Sequence, residues 1–156
     1  MLQRVRHASV FVDDEKIASI GRGLVALLGV GREDHARDAE LLAGKLAELR
    51  VFDDEAGKMN RSLREVGGAL LAVPQFTLYG DVRHGRRPDF SRAAAPEDGR
   101  RLYEAFVGFL RGRDLTVESG RFGAHMRVEL ENDGPVTIVL ATDGTGPSGV
   151  LRITNT

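Results

Sequence analysis

Cysteine is missing altogether from the 156 residues of this chain. Its absence excludes disulfides, thiolate zinc sites and a cysteine nucleophile, and it suits a reducing cytosol. No apolar run approaches the roughly 20 residues that a membrane span needs. The opening MLQRVRHASV has no apolar stretch of signal-peptide length, so the expected location is cytoplasmic and no membrane partner is expected. Neither sign of charge dominates: 22 basic and 23 acidic residues leave a net charge of −1. A nucleic-acid partner would therefore have to be held by a local patch. Lysine is scarce, with 3 Lys against 19 Arg, and Arg makes bidentate phosphate contacts that Lys cannot copy. The histidines His7, His35, His84 and His125 form no HExxH-type pair, so no metal site is expected. Neither GxxxxGK[ST] nor GxGxxG occurs, and no cofactor is expected.

What is present suits one soluble domain spanning residues 1–156. The chain is 42% hydrophobic and 29% charged, with a mass of 17.0 kDa. A monomer of that size buries roughly 70% of the surface of its extended chain, enough for one core. Residues 5–12 alternate, with Ala8, Val10 and Val12 on one face, as a half-buried strand does. Asp13, Asp14 and Glu15 make a turn, and residues 16–20 return as a strand. The run LVALLGV at 24–30 reads as a strand covered on both faces. Asp34 is the expected cap of a helix reaching about Arg50, with Ala39, Leu42, Ala43, Leu46 and Leu49 at helical period. Residues 69–76 form a second buried strand, and 80–95 a long polar loop. Pro96 opens a second helix with the stripe Leu102, Ala105, Phe106, Phe109, Leu110, ended by Gly112. Residues 126–130 alternate, 132–135 read as a hairpin turn, and 136–141 as the return strand. A weak strand signal stands at 150–153. The expected class is α+β: a mixed or antiparallel, barrel-like sheet with two main helices.

Conventional catalytic groups are sparse. Ser91, His84 and Asp89 make a nominal triad, but no GxSxG elbow presents the serine. Glu129 and Glu131 share a strand face, the usual wet side of a strand. The densest basic cluster is Arg83, Arg86 and Arg87. Two segments look unlike scaffold. PQFTLY at 74–79 carries an amide, two aromatics and a hydroxyl past the end of a buried strand. NDGPVT at 132–137 combines strong turn residues with a Gly-Pro bond that is cis at modest cost.

Together these segments resemble the D-aminoacyl-tRNA deacylase family, which carries Ser-Gln-Phe-Thr-Leu-Tyr and Asn-x-Gly-Pro-Val-Thr motifs. GRRPDFS at 85–91, GRFGAHM at 120–126, QRV at 3–5 and KMN at 58–60 resemble family segments too, in family order, from about Leu2 to Leu140. Two departures stand out. Pro74 replaces the motif serine, removing a hydroxyl and a backbone donor. The tail after Leu140, which includes Gly146 and Pro147, is longer than the family's.

The resemblance implies hydrolysis of the ester of D-aminoacyl-tRNA by a homodimer. Gln75, Phe76 and Thr77 would be the catalytic segment, lining the pocket around the ester and the adenosine. Gly134 and Pro135 would be inserted into the partner's site with their peptide bond cis. There their carbonyls would hold the substrate's ammonium and leave no space for an L side chain. Phe122, Gly123 and Met126 would form the wall, and Arg4 would brace the Gly-Pro turn. Arg83, Arg86 and Arg87 would bind tRNA. Glycyl-tRNA would also be cleaved. Two alternatives stand beside this reading: a non-catalytic RNA or single-strand binding module, and a small-molecule esterase that needs no RNA.

Overall fold

Alternation at the N-terminus produces β1 (Leu2–Val12) in the computed structural model, which describes residues 1–142 and 151–153. Val5, Ala8, Val10 and Val12 are buried, while Arg6 and His7 both face outward where the ladder is irregular. Asp13 and Asp14 adopt φ values of 48° and 63°. Asp tolerates this left-handed region better than most residues. The turn leads into β2 (Glu15–Ile20), antiparallel to β1. β3 (Gly23–Leu28) pairs with the first residues of β1.

The helix α1 (Ala36–Glu48) begins one residue later than the sequence pattern suggests. His35 is its cap, and the Asp38 carboxylate accepts the His35 amide at 2.8 Å. Asp34 instead accepts the Gly31 amide at 2.7 Å. β4 (Arg50–Asp53) and β5 (Met59–Ser62) form a hairpin, so Arg50 belongs to a strand and not to the helix. β6 (Ala69–Pro74) is parallel to β3. A short 3-10 turn at Phe76–Tyr79 follows, so the buried strand ends at Pro74 and not at Phe76. α2 (Pro96–Arg111) starts with proline, whose missing N–H costs nothing there.

β7 (Thr116–Ser119), parallel to β6, was not foreseen from the sequence. The segment expected to be a hairpin is a single strand, β8 (Arg127–Ile138), paired antiparallel with β1. Between the pairs Gln3↔Thr137 and Val5↔Asn132, five residue steps on β8 face two on β1. The Asn-Asp-Gly-Pro residues are therefore thrown out as a bulge and the chain does not reverse. β8 pairs with β1 alone among the described strands. A bulge on such an edge is a place where a proline without a ladder donor is tolerated. β9 (Leu140–Thr142) pairs in parallel with β10 (Leu151–Ile153). Of the expected strand at 150–153, residue 150 lies outside the described residues, as does the rest of the tail at 143–149 and 154–156.

The main sheet runs β2-β1-β3-β6-β7, with β8 on the free edge of β1. β2 also packs back against β6 and β7, so the mixed sheet is nearly closed and barrel-like. Successive residues of β6 feed two cores. Leu70 and Ala72 face the helices with Leu46, Phe106 and Leu110, while Leu71 and Val73 face Val5, Val10 and Val25. A strand buried on both faces needs the unbroken apolar run that this segment has. The α+β class with a mixed sheet and two helices is what the sequence pattern led one to expect. Among the described residues no helix is long and apolar enough to cross a membrane.

Candidate active site

The last rung of the β3–β6 ladder is the Gln75 amide, which donates to the Leu28 carbonyl at 2.7 Å. The chain then leaves the sheet. The Leu78 amide donates to the Gln75 carbonyl at 3.3 Å and the Gly80 amide to the Thr77 carbonyl at 3.0 Å. Gln75, Phe76 and Thr77 thus project at the carboxyl end of a buried strand, where mixed sheets commonly bind ligands. Phe76 and Thr77 open the turn, where the first amides have no carbonyl of the same turn to bond. The Gln75 carboxamide Nε2 donates to Thr77 Oγ1, which fixes both side chains.

Residues 120–126 come to the same strand end. The Gly120 amide donates to the Ala72 carbonyl at 2.8 Å. A Cβ on Gly120 would stand 2.8 Å from Met126 Sδ and 3.5 Å from Pro74 Cδ. The bare glycine is what lets Met126 close over the end of β6. Gly123 turns the segment with φ of 78°. Phe122 leans toward α2, with its ring centroid 6.2 Å from that of Tyr103 and the Arg100 guanidinium 5.1 Å over its face. Tyr103 Oη donates to the Ala72 carbonyl at 2.9 Å. Burial pushes the Tyr103 phenol up to about 12, because the phenolate would lose its water.

Gly134 and Pro135 lie elsewhere, in the bulge of β8. Their peptide bond is cis and Gly134 has φ of 124°. Asn132 Nδ2 donates to the Arg4 carbonyl at 2.9 Å and to the Val136 carbonyl at 3.0 Å, closing the bulge on itself. Beneath it, Arg4 Nε donates to the Asp133 carbonyl at 3.3 Å, and Nη1 to the Val51 carbonyl at 2.8 Å and to Asp53 at 3.4 Å. Arg4 is therefore brought to the Gly-Pro turn. Neither is brought to Gln75, Phe76 and Thr77, which lie three strands away across β1, β3 and β6. Sequence reading missed Val51, Asp53 and Asp133 as partners of Arg4. A signal was there: Arg4 falls on the inward parity of β1 with Ala8 and Val10, and a buried guanidinium needs partners.

The polar loop is closed at its base by reciprocal amide–carbonyl bonds between Asp81 and Asp89, 2.8 and 2.9 Å. Arg83 Nε reaches both oxygens of Asp81, at 2.9 and 3.0 Å. The Arg83 guanidinium holds the Asp81 carboxyl well below the usual carboxylate range. Arg86 and Arg87 are exposed and have no ion pair or hydrogen bond among the described residues. Ser91 Oγ donates directly to Asp89, with no histidine between them. Glu131 pairs with His7 at 3.0 Å, and Glu129 with Arg127. Neither arrangement is a catalytic relay or a carboxylate pair. Among the described residues no group of three His, Asp or Glu side chains is placed to hold a metal ion. A cavity of about 490 Å³ lies behind the 3-10 turn, lined by Leu28, Asp34, Leu42, Tyr79, Arg83 and Leu140 among others; it includes none of Gln75, Phe76, Thr77 or Gly134.

The family model described as D-Tyr-tRNA(Tyr) deacylase matches residues 1–141. The D-aminoacyl-tRNA deacylase of Symbiobacterium thermophilum is 59% identical over 145 residues, covering 93% of this chain and 96% of that protein. The D-aminoacyl-tRNA deacylase of Thermus aquaticus is 56% identical over 140 residues, covering 90% and 92%. Among solved structures, the c-Myc DNA Unwinding Element Binding Protein superposes with a TM-score of 0.82 at 42% identity, covering 88% of this chain and 93% of that one. A probable eukaryotic D-amino acid tRNA deacylase has a TM-score of 0.69 at 23% identity, over 85% and 92%, a likeness of fold.

Proposed function

The chain belongs to the D-Tyr-tRNA(Tyr) deacylase family, and from that premise we infer that it is a cytoplasmic hydrolase that cleaves the ester of D-aminoacyl-tRNA. The observation that carries the reading is the Gln75-Phe76-Thr77 turn, opening at the end of β6 in a chain matched by the family model from residue 1 to residue 141. An aminoacyl ester is already a reactive acyl group, so the enzyme needs no strong nucleophile of its own. Water adds to the ester carbonyl, the bond to the ribose oxygen breaks, and that oxygen takes the proton. The ribose 2′-hydroxyl of the substrate assists the attack. The amides of Phe76 and Thr77 stabilise the oxyanion, a contribution of roughly 3–4 kcal/mol for a well-placed donor. The Thr77 hydroxyl accepts from Gln75 and acts as a hydrogen-bonding wall. Met126, Gly123 and Phe122 bound the adenosine side. Pro74, in place of the family's serine, supplies an apolar ring near Gly120 and neither a hydroxyl nor an N–H donor.

The site is completed by a second copy of the chain. Gly134 and Pro135 are three strands from their own Gln75, so the filter over this ester is Pro135 of the partner subunit with its glycine. Their carbonyls hold the ammonium group and collide with an L side chain. Arg4 keeps the bulge in place. Sedimentation should give a particle of about twice 17.0 kDa, and an active monomer would refute the shared site. Arg86 and Arg87 bind the phosphates of tRNA, while Arg83, the third arginine of the cluster, is held by Asp81.

A second reading, single-strand binding without catalysis, draws on the exposed Arg86 and Arg87 and on the name of the solved relative that binds a DNA element. Incubation with paired D- and L-aminoacyl-tRNA separates them. Release of the D-amino acid alone supports the deacylase, and retention of both esters on bound tRNA supports the binding module. Equal cleavage of D-aminoacyl esters of simple alcohols would point to a small-molecule esterase.

A further inference from the structure

An exposed aromatic surface stands beside the candidate site, and the hydrolysis makes no use of its ring faces. Phe76 is 59% exposed. The Phe90 ring meets it edge to face, with centroids 5.0 Å apart and planes at 72°. Three local features hold Phe90 there. The Asp81–Asp89 backbone pair ties the loop immediately before it. The Asp89 carboxylate accepts the Ser91 amide at 2.9 Å, fixing the turn immediately after it. Gly80 leaves it room, since a Cβ there would stand 3.2 Å from the ring. The same loop carries Arg86 and Arg87, exposed and uncommitted among the described residues, whereas Arg83 is taken up by Asp81. An aromatic face beside free guanidinium groups is the combination that binds unpaired nucleic acid. The ring stacks a base of any identity and the cations neutralise its phosphates.

We propose that Phe76 and Phe90 form a stacking platform for an unpaired nucleobase of the tRNA 3′ end, the one preceding the terminal adenosine, with Arg86 and Arg87 on its flanking phosphates. The inference rests on the reading that the ester lies at Gln75, Phe76 and Thr77, because that placement directs the strand across Phe76 toward the arginine loop. Phe90 is then a binding residue that sets the position of the acceptor end.

The chain contains no tryptophan, so Phe90→Trp installs a single indole reporter in the platform. The probe is a short RNA hairpin with an unpaired ACCA 3′ end, compared with the same hairpin ending blunt. Saturable quenching of the indole by the overhang and none by the blunt hairpin is the expected result. Phe90→Leu should weaken overhang binding roughly tenfold or more, the loss of one stacked base. Phe90→Trp should keep the wild-type affinity. An unquenched indole overturns the platform, as does a Phe90→Leu protein that binds like wild type or a Phe90→Trp protein weakened as much as Phe90→Leu. Should Phe90→Leu fail to fold, the quenching decides alone. Wild-type release of a D-amino acid with an unquenched indole sinks the platform and leaves the deacylase reading intact. Quenching in a protein that releases nothing sinks the deacylase reading and leaves the platform.

Discussion

The Arg4 guanidinium lies beneath the bulge of β8 and donates from Nε to the Asp133 carbonyl at 3.3 Å. The same side chain, 9% exposed, also reaches Val51 and Asp53 of β4, so one cation ties the first strand, the β4–β5 hairpin and the Gly-Pro turn together. Replacing Arg4 by Met keeps the stem and removes the cation. It leaves the Val51 carbonyl without its donor, while Asp133 keeps one of its two arginine partners, Arg6 at 3.4 Å. Asp53 is about half exposed and can rehydrate, so the cost is smaller than for a fully buried pair, about 2–3 kcal/mol. Urea unfolding should read this as a lower midpoint with an unchanged slope. Discrimination between D- and L-aminoacyl-tRNA should fall as well, because the turn proposed to reject the L side chain has lost its support. A variant that is destabilised yet fully selective would limit Arg4 to a structural part.

The salt response of deacylation should divide the arginines of the loop. Arg83 already has a carboxylate partner in Asp81, while Arg86 and Arg87 have none among the described residues. Removing one cation from a phosphate should flatten the plot of log affinity against log salt by roughly one unit. Changing Arg86 and Arg87 together to Ala should flatten it by about two units. Changing Arg83 alone should alter it much less, because its guanidinium is engaged by Asp81 and makes no phosphate contact to lose. An equal effect from all three would show that the Arg83–Asp81 pair opens when tRNA binds.

Tyr103 makes a prediction in the alkaline range. Its phenol is raised to about 12 by burial, against an ordinary value near 10. The folded state therefore holds the proton more tightly than the unfolded state. That stability is complete below about pH 10 and is lost as pH rises from there through about 12. The span corresponds to a few kcal/mol at most. Thermal melts from pH 9 to 12 should fall steeply for the wild type and less steeply for Tyr103→Phe. The variant should also be less stable at neutral pH, by about 1 kcal/mol for the missing bond to the Ala72 carbonyl. Parallel curves for the two proteins would remove Tyr103 from the alkaline transition.

What the sequence made legible was local. Alternation exposed β1, the paired aspartates exposed its turn, and an unbroken apolar run exposed β6. β7 escaped because only Val117 of its four residues is buried, and its pairing with β6 depends on a segment more than forty residues away. Asn-Asp-Gly-Pro reads as a hairpin turn, yet in the structure it is a bulge within one strand. The same residues suit either outcome, and the choice is made by the register of β8 on β1, a tertiary fact. Asp34 has the chemistry of a helix cap, yet its carboxylate is drawn to the Gly31 amide and, at 3.4 Å, the Tyr79 hydroxyl. The partners of Arg4 lie 47 to 129 positions away, beyond the reach of any local pattern. The motif residues, and the shared site that the resemblance implies for Gly134 and Pro135, were legible by resemblance; the sheet order that sets Gly134 three strands from Gln75 was not.

Selectivity follows from how the proposed filter works. It excludes an L side chain by collision with the carbonyl-bearing backbone of Gly134 and Pro135, and it takes no grip on a D side chain. Collision with rigid backbone discriminates steeply, whereas a pocket that merely gains one methylene contact separates substrates by roughly 1–3 kcal/mol. A filter of this kind has nothing to strike when the side chain is a hydrogen atom. Glycyl-tRNA should therefore be hydrolysed appreciably, while L-alanyl-tRNA, larger by one methyl group, should resist. D-alanyl-, D-tyrosyl- and D-aspartyl-tRNA should be cleaved at similar rates, because their side chains point away from the filter. A rate series on these five substrates checks the idea at a single enzyme concentration. Glycyl-tRNA as resistant as L-alanyl-tRNA would mean that the site recognises the D side chain by contact, and exclusion by backbone would have to be given up.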